Sequence, residues 1–296
     1  MTEITLDAGA ESVTLVAGDV QLADYRVVSD VEAVNTPKPY FHPLRTLGGA
    51  TITGFAPDDH PWHHGLQFAF PRVGGHNLWG GGTYLGPEEG YKVVEDQGSI
   101  RHDAWGEVVD SGTGGSFSHR LSWLGHGGEL LLNEARTLDI DVRADSETPS
   151  WILTFSSTLV NVTDAPIALA TPAQRGRPDG GYGGLFLRLA PDLQADRLIG
   201  EKADLTASGG ESRTLVVQAH TASGDPITLG LSFLPHASPG AEKWLYRFAP
   251  EPFSAIGWAG AYDEGYELPV AGSIEFGYRL VVLDGTVDAT TVRALL

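Results

Sequence analysis

The feature that most constrains this chain is a two-residue rhythm. The runs "ESVTLVAG", "ATITGF", "LQFAF", "ELLLNEARTLDIDVRA", "SWILTFSSTLVNVT", "RTLVVQAHT", "ITLGLSFL" and "SIEFGYRLVVLDG" alternate apolar with polar residues or concentrate β-branched ones, bounded by Gly, Pro, Asn or Asp. Successive side chains of a strand point to opposite faces, so such runs bury one face of a sheet and wet the other. Almost nothing sustains a helical period. Thirty-eight glycines and eighteen prolines supply the turns that many short strands need. The expected fold is all-β, a single large antiparallel β-sandwich with at most one or two short helices.

At 296 residues the chain is long for one ordinary domain and short for two, and sandwiches reach this size as one unit. The weakest stretch, "ATPAQRGRPDGGYGG", reads as a long loop because "LFLRL" resumes the strand pattern at once. Residues 1–296 are therefore expected to form one domain.

The formal charge of −19 argues against nucleic acid or an anionic membrane as partner, since binding to phosphates rests on Lys and Arg. The absence of cysteine removes disulfides, thiolate nucleophiles and Cys-based metal sites. The start "MTEITLDAGAES" has neither a basic nor an apolar leader region, and no apolar run approaches the ~20 residues of a membrane span. A soluble, cytoplasmic protein is expected.

One segment departs from this plain background. "DDHPWHHGLQFAFPRVGGHNLWGGG" holds four of the ten histidines and two of the seven tryptophans. His60, His63 and His64 have helical spacing, but Pro61 and Gly65 argue against a helix, and "HGLQFAF" alternates. As a strand, His64, Leu66, Phe68 and Phe70 share one face while His63 and Gln67 look out from the other. Further polar and aromatic residues recur at strand ends: His42 and Arg45 in "FHPLRT", His76 and Trp79 in "GGHNLWGG", His102 and Trp105 in "RHDAW". Histidine gives and takes protons near neutral pH, and tryptophan offers a flat apolar face with one donor. A sugar has an apolar C–H face, a rim of hydroxyls and an anomeric centre that reacts by proton transfer, so a small carbohydrate is the expected partner.

In this reading His63 or His64 is the general acid or base and Glu134, from "LLLNEARTLDID", its carboxylate partner. His60, His76, His102, Arg45 and Arg188 contact hydroxyls or developing negative charge, and Trp79 or Trp105 stacks on the ring. The loop carrying Arg175, Arg177, Asp179 and Tyr182 is a candidate lid. A three-imidazole site for a divalent ion is the rival use of the histidines. Their spacing matches neither the helical zinc pattern nor any Cys motif, and no cofactor is expected.

"PYFHPLRT", "DDHPWHHGLQFAF", "VGGHNLWGG" and "GYGGLFLR" resemble a bacterial family labelled methane oxygenase PmoA-like, over most of the chain. The membrane enzyme of that name needs several spanning helices, so the label does not transfer as function. "LTFSSTLVNVTDAPIALATP" resembles the strand, Asn, turn and strand of the galactose-mutarotase-like supersandwich, which implies a large sandwich holding a sugar. Where those epimerases carry a histidine motif this chain has "TPAQRG", so their catalytic residues do not map here. The leading expectation is a hydrolase or lyase acting at or beside the anomeric carbon of a small glycoside or modified sugar. An aldose epimerase and a non-catalytic sugar-binding module are the alternatives.

Overall fold

The structure is a computed structural model that describes residues 2–28, 30–235, 237, 239–248 and 253–296. Strands take 52% of the chain and helices 4%, against roughly a third helix in an average domain. A nine-stranded sheet runs in the spatial order Ile4–Ala8, Ser12–Ala17, Val20–Arg26, Tyr40–Leu44, Leu66–Ala69, Gly184–Arg188, Ala255–Trp258, Lys243–Arg247, Gly210–Glu211. An eight-stranded sheet runs Gln194–Gly200, Thr214–His220, Pro226–Phe233, Ser273–Asp284, Ser150–Asn161, Leu130–Arg143, Gly114–Leu124, Ser99–Asp110. The pairings in both are antiparallel. Among the described residues no helix is long and apolar enough to cross a membrane.

Alternation in the sequence becomes alternation in burial. Along Leu130–Arg143, residues Leu132, Glu134, Arg136, Leu138, Ile140 and Val142 face inward, while Asn133, Ala135, Thr137 and Asp139 face solvent. Trp123, Trp151, Trp244 and Trp258 are fully buried in the core. Each indole N–H finds an acceptor: Glu134 Oε2 at 2.7 Å, Arg45 O at 2.8 Å, Ser212 O at 2.6 Å and Ser232 O at 3.0 Å, in that order. Such pairing matters because a buried donor left without a partner costs about 1–3 kcal/mol, as much as burying a large apolar side chain contributes, about 1.5–3 kcal/mol.

Glu134 therefore has a different place from the one its sequence context suggested. Its carboxylate accepts from Arg136 Nε at 2.7 Å and Nη2 at 2.9 Å, from Trp123 Nε1 at 2.7 Å and from Ser157 Oγ at 2.7 Å. These four bonds occupy both oxygens inside the core, so Glu134 does not partner His63 or His64. Arg136 also donates to the Tyr25 hydroxyl at 2.8 Å, and Tyr25 meets His119 Nε2 at 2.9 Å. His119 Nδ1 lies 3.0 Å from His102 Nδ1, which carries this polar chain out toward Trp105.

Candidate functional site

The nine-stranded sheet has a trough in its outer face. Residues directly opposed on neighbouring strands share a face, and the register sets Phe186, Gly257 and Leu245 in one row and Arg188, Ala255 and Arg247 in the next. The middle strand thus presents only Gly257 and Ala255 here, while its Ile256 and Trp258 enter the core. Phe186 and Arg188 form one bank, Leu245 and Arg247 the other.

Loops wall this trough. His60 N donates to Pro57 O at 2.9 Å and His63 N to His60 O at 3.0 Å, giving two successive tight turns with Pro61 preset for the second. Three residues per turn lay the His60 and His63 rings over one another, centroids 4.8 Å apart and planes 23° from parallel. The i, i+3 spacing does here without a helix what a helix would do. Gly65, at φ 54°, then turns the chain into its strand, and a Cβ there would fall 2.0 Å from Phe41 O. Trp62 lies against the backbone of Gly80 and Gly81, where Cβ atoms would come within 2.5 and 2.8 Å of it, which accounts for the glycines after Trp79. Buried Lys38 anchors Trp79 by donating to Trp79 O at 2.9 Å, Thr36 O at 3.0 Å and Asn35 O at 3.2 Å. Burial pulls this ammonium down to about 7, although three acceptors match its three donors.

The result is a cavity of about 430 Å³, within the range of small-molecule sites. Trp62, Trp79, Phe186, Leu245 and Phe253 supply apolar surface, and His60, His63, Tyr91, Tyr182, Arg177 and Arg247 the polar groups. Tyr91 and Tyr182 share a hydroxyl–hydroxyl bond of 2.7 Å.

The two imidazoles have different surroundings. His60 Nδ1 lies 2.8 Å from Asp59 Oδ2, and a carboxylate only accepts, so Nδ1–H donates and, in the neutral ring, Nε2 carries the lone pair. Desolvation works to raise Asp59, but its hydrogen bond with His60 and the charge of Arg188 beyond win and hold its carboxyl below the usual range. His63 is 3% exposed. Burial above all, aided by the nearby Arg188 guanidinium, pushes His63 well below the usual imidazole value, so it is neutral. Its Nδ1 faces Arg188 Nη1 at 3.4 Å. A guanidinium only donates, so the His63 proton sits on Nε2. Arg188 in turn lies over the Phe253 ring, 4.4 Å from its centroid. A lone pair on one ring and an N–H on its neighbour can take a proton and steady an oxygen on the same face of a bound molecule.

Of the residues singled out in the sequence, His60, His63, Trp79 and, from the loop read as a candidate lid, Arg177 and Tyr182 line the cavity, while Arg175 and Asp179 do not, and Arg188 backs it. His64 does not. It is fully buried between Phe55 and Tyr40, donates from Nε2 to Pro61 O at 3.1 Å, and is pulled down to about 3 by burial. Gln67, expected to look outward, is buried and accepts from His64 N at 2.8 Å. His76 pairs with Glu129 at 3.0 Å outside the cavity lining. Arg45 donates to Gln21 O at 3.0 Å, and Trp105 to Ala10 O at 3.2 Å beside His102. None of these four residues reaches the cavity, because the segments that carry them lead elsewhere on the sandwich. Trp62, Tyr91, Phe186, Leu245, Arg247 and Phe253 were not singled out. Only Trp62, inside the histidine segment, carried a sequence signal. Among the described residues no three His, Cys, Asp or Glu side chains converge as a metal site.

Fold and cavity together define a two-sheet antiparallel sandwich with an aromatic, imidazole- and guanidinium-lined cleft on one sheet. The chain belongs to the family of unknown function DUF6807, whose model matches residues 12–296. The methane oxygenase name finds no support in that match. No curated protein matches the sequence. Among solved structures the chain is similar to the alpha-galactosidase from Lactobacillus brevis, with 7% identity and a TM-score of 0.43 over 94% of this chain and 39% of that one. It is also similar to a galactose mutarotase related enzyme from Lactobacillus acidophilus, with 9% identity and a TM-score of 0.35 over 97% of this chain and 98% of that one. The chain thus spans well under half the length of the first.

Proposed function

We propose that this protein is a carbohydrate-active enzyme, a hydrolase or lyase that transfers a proton at or beside the anomeric carbon of a small glycoside or modified sugar. The observation that carries the reading is the Asp59–His60 pair, whose His60 ring opens onto an aromatic-walled cavity. Trp62, Trp79 and Phe253 give a sugar its apolar contacts, and the tyrosine and arginine groups meet hydroxyls. In an elimination, His60 Nε2 takes the proton of a C–H bond as its electron pair forms the double bond, and the departing oxygen receives that proton. In hydrolysis the same nitrogen takes a proton from water as the water oxygen bonds to the anomeric carbon and the C–O bond to the aglycone breaks, and the departing oxygen receives that proton. His63 Nε2–H hydrogen-bonds to the oxygen where charge gathers.

The stacking of His60 on His63 favours this reading over an epimerase, which needs acid and base on opposite sides of the ring. A binding module needs the aromatics but not the carboxylate-oriented imidazole. The test is turnover of a panel of glycosides, uronates and keto-sugars by the parent and by His60→Gln and Asp59→Asn, with folding checked by thermal melting. The expected loss for His60→Gln is ~10²–10⁴-fold with the fold intact. Parent-level turnover in that variant overturns the assignment.

A further inference from the structure

The polar end of the cavity is cationic in a protein that is otherwise strongly acidic. The chain has 38 Asp and Glu against 19 Lys and Arg, yet Arg177 and Arg247 both line the cleft and Arg188 stands behind it. Arg177 lies over the Tyr91 ring, 5.1 Å from its centroid, and its Nη1 is closed to solvent with no acceptor among the described residues. The acid on its own loop is engaged elsewhere: Asp179 Oδ1 accepts from the Tyr262 hydroxyl at 3.2 Å. Tyr91 and Tyr182, whose hydroxyls meet at 2.7 Å, are raised mainly by burial, and the charges of Arg177 and Arg247 act on both. Both guanidiniums line the same cavity as this pair of hydroxyls, Arg177 in contact with the Tyr91 ring. A buried guanidinium N–H without an acceptor, beside a second cation, is arranged for an oxyanion that arrives with the ligand.

We infer that the sugar taken by this cleft carries an anionic oxygen group, a carboxylate or a phosphate ester, held by Arg177 and Arg247 beside the Tyr91–Tyr182 pair. The inference rests on the sugar reading of the same cavity and narrows its substrate class. A guanidinium fork matches two oxygens of either group, and the cavity volume suits one or two sugar rings with such a substituent rather than a polymer end.

Calorimetric titration separates the possibilities. The parent, Arg177→Gln and His60→Gln are titrated with glucuronate and galacturonate, with glucose 6-phosphate and glucose 1-phosphate, with methyl glucoside and methyl galactoside, and with acetate and inorganic phosphate. One anionic class is expected to bind the parent about tenfold or more tighter than its neutral counterpart. Arg177→Gln should erase that margin, with anionic-sugar affinity falling about tenfold more than neutral-sugar affinity, and His60→Gln should keep the margin. Which class gains identifies carboxylate or phosphate as the source. Neutral sugars binding as tightly as charged ones, or an unchanged margin in Arg177→Gln, overturns the inference. Acetate or inorganic phosphate matching every sugar derivative, with loss in Arg177→Gln, supports the anion clamp and counts against the sugar reading. Parent-level turnover by His60→Gln with the margin intact removes the proposed chemistry and leaves the clamp standing.

Discussion

Replacing Glu134 by Gln separates a structural carboxylate from a catalytic one. The substitution keeps the side chain's size but removes the charge that faces Arg136 across bonds of 2.7 and 2.9 Å, both groups being buried. Arg136 is left with the Tyr25 hydroxyl and at most one neutral amide oxygen as acceptors, so its charge is uncompensated between the sheets. Breaking a buried pair from one side costs about 3–5 kcal/mol, and at about 2–4 °C per kcal/mol for a large domain the melting temperature should fall by roughly 6–20 °C. The double variant Glu134→Leu with Arg136→Met removes both charges and should recover much of that loss. Thermal unfolding of the three proteins measures this, with turnover per folded molecule recorded alongside at a temperature where all are folded. Turnover should be unchanged, because Glu134 has no contact with the cavity. A Glu134→Gln variant that melts with the parent and has lost turnover refutes the reasoning.

Stability should fall between about pH 6.5 and 5. His63, His64 and His119 are all pushed below the ordinary value, His64 to about 3 and His119 to about 2, chiefly by burial, so below about 6.5 the unfolded chain binds protons that the folded chain does not. Each contributes a loss of about 1.4 kcal/mol per pH unit in that window, and melting temperatures flat from pH 7 to 5 would contradict it. Gly257→Val should leave the melting temperature near the parent's, since a Cβ there meets Phe186 and Leu245 at 3.5 and 3.6 Å. The added methyls fill the trough, so ligand titration should show binding lost. Lys38→Met deprives three carbonyls, Trp79 O among them, of their donor. It should raise KM more than it lowers kcat, and an unchanged KM would show that Lys38 does not position Trp79.

The sandwich was legible because strand period and burial are the same physical fact, as the strict alternation of Leu132 to Val142 illustrates. The neighbourhood of His60 was legible for a different reason: Pro61 and the clustered glycines mark turns whose geometry is local. Glu134 and Arg136 show where the sequence fails. Their alternation says that they share a face, but only the opposing sheet decides whether that face is a cleft or the core. His64 fails likewise, since one residue's difference in register sends it inward while His63 lines the cavity. Leu245, Arg247 and Phe253 come from strands and loops far along the chain, and nothing local in "KWLYRF" announces that Gly257 and Ala255 will leave a trough beside it.

The most direct test of the central claim is a crystal structure of His60→Gln soaked with the sugar that the parent turns over best. The account predicts the sugar in the cavity between Trp62, Trp79 and Phe253, with its reacting carbon or attacking water within about 3.5 Å of the position 60 side chain and any charged substituent on Arg177. A sugar bound elsewhere on the sandwich, or seated in the cavity with its anomeric end turned away from residues 60 and 63, would contradict it.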